Sequence, residues 1–367
     1  GELGSFEKKL IRAVLDEWRG DGALEYYMAK YRRYVKQLVE ASHYPLDPDL
    51  FSYLSGPTKY SGNSKYLREV SEFLRTGKTP SVTVPFELVR SRLPKSEWTP
   101  ELLERTDLTG LTLVMQARSL YRVLGGRLCD LMRRRAAKAR RLTTDKVLKA
   151  LLAVKEEELK KALAELYVAK AKECYKDLLL PAESPRISLV LDASGSMEPG
   201  SPRGYFIKAL SSVLPFAPLV KQLVLFSEAA GQEDPSLLST YEGVERLVEV
   251  ARDRYNSGTD VASGLELALE AVRSGEVNLV VVATDEQANL IKGGYKEVDL
   301  IRAITGRANV ILVNPTPYPV HVHRPMPNLV YVPAPNAETF AAAVKLVQLR
   351  EMLEEGVEKA VEALIRK

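Results

Sequence analysis

The chain of 367 residues divides, by pattern, into an N-terminal all-α domain with irregular, helical-repeat-like (HEAT-like) pairs and a C-terminal α/β domain with a doubly wound, mostly parallel, Rossmann-like sheet. Three observations predict this. Apolar residues before residue 180 recur at helical spacing, as in Leu10, Val14 and Trp18, or Leu148, Leu151, Leu152, Leu159 and Leu163. A two-proline segment, Leu178-Leu-Leu-Pro-Ala-Glu-Ser-Pro-Arg186, stops the helical pattern. Beyond it, short runs rich in Val and Leu alternate with helical stretches, which marks strands buried on both faces.

The helical part is punctuated by Gly20, Pro45, Gly56, Pro80, Pro94 and Gly125-Gly126. The expected strands are Ile187–Leu191, Leu223–Phe226, Leu279–Val282, Val310–Val313 and Leu329–Val332. Asn336 to Lys367 reads as a long amphipathic helix with Asn336 as N-cap. The predicted domains are 1–180, 186–345 and a C-terminal helical extension over 346–367. Charge follows the same division: 34 Lys+Arg against 24 Asp+Glu in residues 1–180, and 18 against 24 in the remainder. A basic front half attracts phosphates and an acidic back half attracts cations.

Several function classes are set aside. No run of apolar residues is long enough for a membrane span, and the first residues lack the basic-then-apolar order of a signal peptide. Cys129 and Cys174 give neither a disulfide framework nor zinc spacing and read as thiols in a reducing cytoplasm. No phosphate-binding loop of the ATPase type occurs, so no nucleotide cofactor is expected. The histidines are His43, His321 and His323. No Ser-His-Asp arrangement is present, and no base stands by the candidate site, so the chain is expected not to be an enzyme. A metallo-phosphoesterase would need that base and a second metal. His321-Val-His323 has a spacing that could hold a metal but lacks a third ligand, and reads as a loop or edge strand.

The chemistry concentrates where strands end, the position at which open α/β sheets bind ligands. Asp192-Ala-Ser-Gly-Ser-Met197 follows the first strand directly. Ser257-Gly-Thr-Asp260 opens a helical stretch, and Val280-Val-Val-Ala-Thr-Asp285 ends another strand. Alternate residues of an extended turn point one way, so Asp192, Ser194 and Ser196 can reach one point, and Gly195 allows a tight fold. With Thr259 and Asp285 they form a set of five hard oxygen donors, suited to Mg²⁺, or to Mn²⁺ or Ca²⁺. Two carboxylates roughly neutralise the ion and leave a sixth position for an acidic side chain of a protein partner, or for a phosphate. Asp260 reads as the cap of the following helix, and Glu286 as an acceptor behind the ligands.

This constellation resembles the metal-ion-dependent adhesion site (MIDAS) of von Willebrand factor A domains, over roughly residues 186–345. The resemblance implies that Asp192, Ser194, Ser196, Thr259 and Asp285 bind Mg²⁺, directly or through water.

Two segments of the basic half suit nucleic acid. Wound as one helix, residues 127–141 place Arg127, Arg133, Arg134, Lys138, Arg140 and Arg141 on one half of the circumference, with Arg135 at the border. Leu128, Leu131, Met132, Ala136 and Ala139 take the other half; a solvated basic face is the plainer alternative here, and rings packed between helices are the plainer alternative for the tyrosine-rich segment that follows. Tyr26-Tyr-Met-Ala-Lys-Tyr-Arg-Arg-Tyr-Val-Lys36 interleaves rings with cations, and Tyr26, Lys30 and Arg33 fall on neighbouring turns.

A second resemblance rests on Val84-Pro-Phe-Glu-Leu-Val-Arg90, Trp98-Thr-Pro-Glu-Leu-Leu103 and Leu108-Thr-Gly-Leu111, which are similar to part of the TROVE domain of Ro-type RNA-binding proteins. In that family a helical-repeat region precedes a von Willebrand A domain, the order found here, and Thr284-Asp-Glu286 resembles the Ro version of the third metal loop. The resemblance implies a cytoplasmic ribonucleoprotein component that binds small structured non-coding RNAs and single-stranded RNA ends. The chain departs from the family at Leu113-Val114, where Arg-Asn is usual, and at Asp107, where proline is usual. Its helical part is shorter than the family's ring, which implies an open arc or one completed by a second protomer. The competing reading is an adaptor for a MoxR-type AAA+ ATPase, since such partners also join a helical half to a von Willebrand A domain.

Overall fold

The computed structural model describes residues 4–180, 183–286, 294–317, 326–357 and 361. Packing divides the chain into two compact units, Gly1–Leu128 and Cys129–Lys367.

The first unit is helical. Its longer helices are Ser5–Gly20, Arg32–Ser42 and Lys65–Thr76, with shorter ones at Leu24–Lys30, Pro48–Ser55 and Ala117–Leu124. Side-chain caps start several of them: Asp47 accepts from the Asp49 amide, Ser64 from Leu67, Thr99 from Leu102. One feature departs from an all-α expectation. Val84–Pro85 (β1) pairs in parallel with Thr106–Asp107 (β2). The motif-bearing segment 84–111 thus closes on itself, with Phe86 and Trp98 packed edge to face at 5.4 Å.

The second unit is built on a six-stranded sheet: Ile187–Asp192 (β3), Val220–Phe226 (β4), Ala230–Glu233 (β5), Leu279–Ala283 (β6), Asn309–Asn314 (β7) and Leu329–Pro333 (β8). The order is β5-β4-β3-β6-β7-β8, parallel except for the β4–β5 hairpin. Every strand expected from the sequence is present. β5 was not foreseen, because Ala-Gly-Gln-Glu on a half-exposed edge carries no apolar run. Side chains alternate between faces. Val190, Val224, Val280, Val282, Val310 and Leu312 pack against Val261, Leu265, Ile301 and Ile304 of helices Val261–Arg273 and Gly294–Thr305. Helix Tyr205–Val213 packs on β3 and on helix Ala337–Glu355. Asn336 caps that last helix reciprocally with Thr339, and the helix ends at Gly356.

The division of the chain therefore falls earlier than the two-proline segment. Helices Thr144–Ala153 and Glu157–Glu173 belong to the second unit. The buried Tyr167 donates its hydroxyl to the Leu238 carbonyl at 3.0 Å, and helix Glu157–Glu173 packs on the turns at 214–219 and 235–239. Residues 346–355 continue helix Ala337–Glu355 rather than forming an element of their own, and Met352 is buried against Leu180. The expected continuation towards Lys367 falls largely outside the described residues, as do His321 and His323.

Candidate metal centre and cationic segments

β3 and β6 are neighbours in parallel register, Leu191 beside Ala283. Asp192 and the Thr284-Asp285 pair therefore emerge side by side. Asp192 is fully buried and Asp285 nearly so. The Asp192 carboxylate accepts from the Ser194 amide at 2.9 Å through Oδ1 and from the Thr284 hydroxyl at 2.7 Å through Oδ2. The Ser194 and Ser196 hydroxyls stand 3.2 Å apart. The Thr259 loop joins them through its backbone: the Gly195 amide donates to the Ser257 carbonyl at 3.0 Å. Gly195 is not left-handed; Glu198 is, at φ 48°. The bond to Ser257 is a backbone one that any residue but proline could donate, and a Cβ at 195 would meet only ordinary contacts, 3.5 Å from Asn256 Oδ1.

Helix Val261–Arg273 follows directly on the second loop, Ser257–Asp260. Gly264 lets it approach the sheet, since a Cβ there would lie 2.8 Å from Val190 Cγ1 and 3.0 Å from Phe226 Cδ1. Asp260 caps this helix, accepting from Ala262 at 3.1 Å. The loop after β4 adds further ties: the Asp260 amide donates to Ser227 O, and Ser227 and Ser257 hydroxyls meet at 3.0 Å. Glu286, buried and at φ 58°, donates its amide to the Thr284 hydroxyl. The 227–228 loop was not picked out from the sequence, and Thr284 was named there only as part of the third loop, with no role for its hydroxyl. A threonine before the second aspartate is the signal that could have found that role.

Two features show that these residues fit a cation. Burial raises the Asp192 carboxyl to about 6, against lowering by the Ser194 and Thr284 hydrogen bonds, and the Asp285 carboxylate raises it further. Two acidic groups crowded into a dry place gain from a positive charge between them. The Thr259 hydroxyl is buried and has no hydrogen-bond partner among the described residues, a cost of about 1–3 kcal/mol if nothing meets it. Among those residues no three His, Cys, Asp or Glu side chains group as a metal site.

The basic segment is not one helix. Gly126–Leu131 is α-helical, Met132–Ala136 is a π-turn, and residues 137–141 form turns before helix Thr144–Ala153. Met132, Ala136 and Leu142 are all fully buried. A continued helix would place Leu142 about 240° round from Ala136, so burying it requires the turn. The Lys170 ammonium holds that turn, donating to Ala139 O at 2.8 Å. The predicted cations separate accordingly. Arg127 pairs with Glu104 at 3.4 Å, in the first unit. Arg133 pairs with Glu165 at 3.0 Å and Asp130 at 3.3 Å. Arg134 is exposed and donates to the Asp130 carbonyl. Lys138, Arg140 and Arg141 are exposed with no ion pair to the described residues.

Lys30 is compensated by acids of the same unit. Its side chain is only 13% exposed, 3.8 Å from Glu87 and 3.7 Å from Asp107. Tyr26 donates its hydroxyl to Asp107 at 2.6 Å, and burial with that bond raises the phenol. Both side chains hold the 84–111 segment in place and are not open to a phosphate. Arg33 is exposed.

No protein-family model and no curated protein matches the chain. Among solved structures it is similar to the Ro (RSR) protein of Deinococcus radiodurans, at 16% identity and a TM-score of 0.54, over 94% of this chain and 78% of that one. It also matches an aerotolerance-related membrane protein from Bacteroides fragilis at 14% identity and TM-score 0.32, over 46% of this chain and 100% of that one. The pilus adhesin SpaC of Lactobacillus rhamnosus GG matches at 15% and 0.31, over 45% and 30%. Likenesses at those two scores carry no argument. The first shows a Ro-like fold, a helical part followed by an α/β part.

Proposed function

Starting from the Ro-like fold, we propose that the chain is a Ro-type RNA-binding protein whose α/β unit is a von Willebrand A domain that takes a divalent cation. The likeness over 94% of the chain carries this reading. The exposed Arg134, Lys138, Arg140 and Arg141, crowded within eight residues, support it, because closely spaced uncompensated cations suit a phosphate backbone. The ligand is structured non-coding RNA, and the role is binding without catalysis; His43, the one histidine among the described residues, belongs to the first unit.

Asp192, Ser194, Ser196, Thr259 and Asp285 would hold Mg²⁺. When bound, the ion offers an open coordination position to an acidic group of a protein partner. The chain's residues do the rest. Thr284 fixes the Asp192 carboxylate, and the Gly195 amide ties the first loop to the second.

Filter binding with a structured RNA hairpin tests the RNA reading. Affinity is expected to fall steeply with salt. Reversing Arg134, Lys138, Arg140 and Arg141 to Glu together should cost about tenfold or more and flatten the salt slope by roughly 0.9 per lost phosphate contact. No measurable affinity in the parent protein, with a hexameric AAA+ ATPase co-purifying instead, would replace this reading with the adaptor.

A further inference from the structure

Helix Ser5–Gly20 uses one side to dock and leaves the other bare. Leu15, fully buried, and Trp18, with its ring 4.5 Å from that of Tyr27, hold the inner side. Arg12 donates to the Ser42 carbonyl at 2.8 Å and to the His43 carbonyl at 3.2 Å. Asp16 accepts the Tyr44 hydroxyl at 2.7 Å through Oδ1. These ties fix the rotation of the helix, so its outer side is presented in one orientation.

That outer side carries an apolar ridge. Phe6 is 77% exposed and Leu10 is 58% exposed. Residues four apart are neighbours on a helix, so the two side chains adjoin. Ala13, Glu17 and Gly20, all exposed, continue the line. Steps of four, three, four and three residues are those of a coiled-coil seam. The seam changes character along its length. Its first half is bulky, with Phe6 and Leu10, and its second half holds the small residues Ala13 and Gly20. The charge beside it changes too. Lys9 and Asp16, seven residues apart, lie on the same flank, the lysine near the start and the aspartate near the end. Lys9 and Glu17 have no ion pair among the described residues.

Such a face is complementary to a reversed copy of itself. Run antiparallel, the bulky half of one helix lies on the small half of the other, and Lys9 meets the partner's Asp16 at two symmetric points. A two-fold axis requires this kind of self-matching surface. A parallel copy would set Glu17 against the partner's Glu17 and leave the size gradient unmatched. A lipid surface fits poorly, because Glu17 stands within the apolar line and Glu7, Asp16 and Glu17 offset most of Lys8, Lys9, Arg12 and Arg19.

We propose that the protein forms a dimer through helix Ser5–Gly20, two copies pairing antiparallel about a two-fold axis beside Ala13, with each Lys9 reaching the partner's Asp16. The inference is independent of the RNA and metal readings.

Sedimentation velocity of the full chain over a range of concentrations tests it, on protein treated with nuclease so that RNA bridging two chains is not read as a dimer. The parent should shift from monomer to twice that mass as concentration rises. Leu10→Glu should weaken the dimer by about tenfold or more, since each copy loses a buried leucine and gains a charge. Lys9→Glu and Asp16→Lys should each weaken it by about 3- to 10-fold, more at low salt. An equimolar mixture of those two variants restores both cross-pairs, Glu against Lys and Asp against Lys, and should associate like the parent. Thermal melts check folding; Phe6→Glu and Leu10→Glu alter exposed side chains and keep the test open if Asp16→Lys is unstable. A parent that stays monomeric, or a dimer indifferent to Phe6→Glu and Leu10→Glu, overturns the proposal. Failure of the two folded charge variants to associate on mixing overturns the antiparallel pairing. A monomeric parent that binds vesicles of phosphatidylglycerol, and loses them in Phe6→Glu, would assign the ridge to lipid and overturn it as well.

Discussion

At Asp192 a buried carboxylate faces a second one. Its pKa of about 6 lies above the ordinary aspartate value, so the folded, metal-free protein holds a proton there that the unfolded chain has lost. The stabilising contribution of that proton is full below about pH 4 and disappears as pH rises through about 6, a loss on the order of 3 kcal/mol. Metal-free parent protein should therefore lose melting temperature between pH 4 and 7 relative to Asp192→Asn, which has no such group. Equal pH profiles in differential scanning calorimetry would contradict this. At pH 7, saturating Mg²⁺ should restore the loss. At a hundredfold excess over Kd the gain is about 2.7 kcal/mol, or roughly 5–10 °C for a unit of this size. Asp192→Ala should show no Mg²⁺ response, and an identical shift in parent and variant would remove the metal centre. Five candidate ligands were legible because each stands at a strand end or helix start, where local pattern fixes position. Thr284 was named only as a member of its loop, and the role of its hydroxyl emerges once β3 and β6 are known to be adjacent. The compensation of Lys30 was not legible either, because its acids, Glu87 and Asp107, are distant in sequence.

Among elements, helix Val261–Arg273 does most to place the 257–260 loop, because that loop leads straight into it. Gly264 sets its distance from Val190 and Phe226. Gly264→Val should cost about 1–3 kcal/mol through overpacking and should also blunt the Mg²⁺ thermal shift, although residue 264 is no ligand. A normal Mg²⁺ response in a destabilised Gly264→Val protein would show that the 257–260 loop does not depend on this helix. The strands of the sheet were readable because burial on both faces leaves continuous apolar runs. The edge strand β5 has no such run. The basic segment 127–141 was periodic enough to suggest one helix, yet Leu142 had to be buried with Met132 and Ala136, and the chain turned to achieve it. Local propensity lost to core packing, and the cations divided into paired and open sets as a result.

For the whole molecule, the position of the boundary decides which pieces can stand alone. A fragment of residues 129–367 should melt cooperatively, because it keeps helices Thr144–Ala153 and Glu157–Glu173 on the α/β unit. A fragment beginning at residue 186 lacks Tyr167 and the apolar cover of helix Glu157–Glu173, and should aggregate or melt without cooperativity. Equal cooperativity of the two fragments in urea would return the boundary to the two-proline segment. The charge division changes with it. Residues 1–128 carry 20 Lys+Arg against 16 Asp+Glu, and residues 129–367 carry 32 of each. The basic stretch that seemed to belong to a separate half is part of the same unit as the acidic sheet. By itself the sequence determined the class of each part and the strand ends at which the five candidate oxygen donors stand, since these follow from short-range pattern. Only the tertiary structure decided which helices join the sheet and which cations stay open, because those outcomes depend on partners brought together from far along the chain.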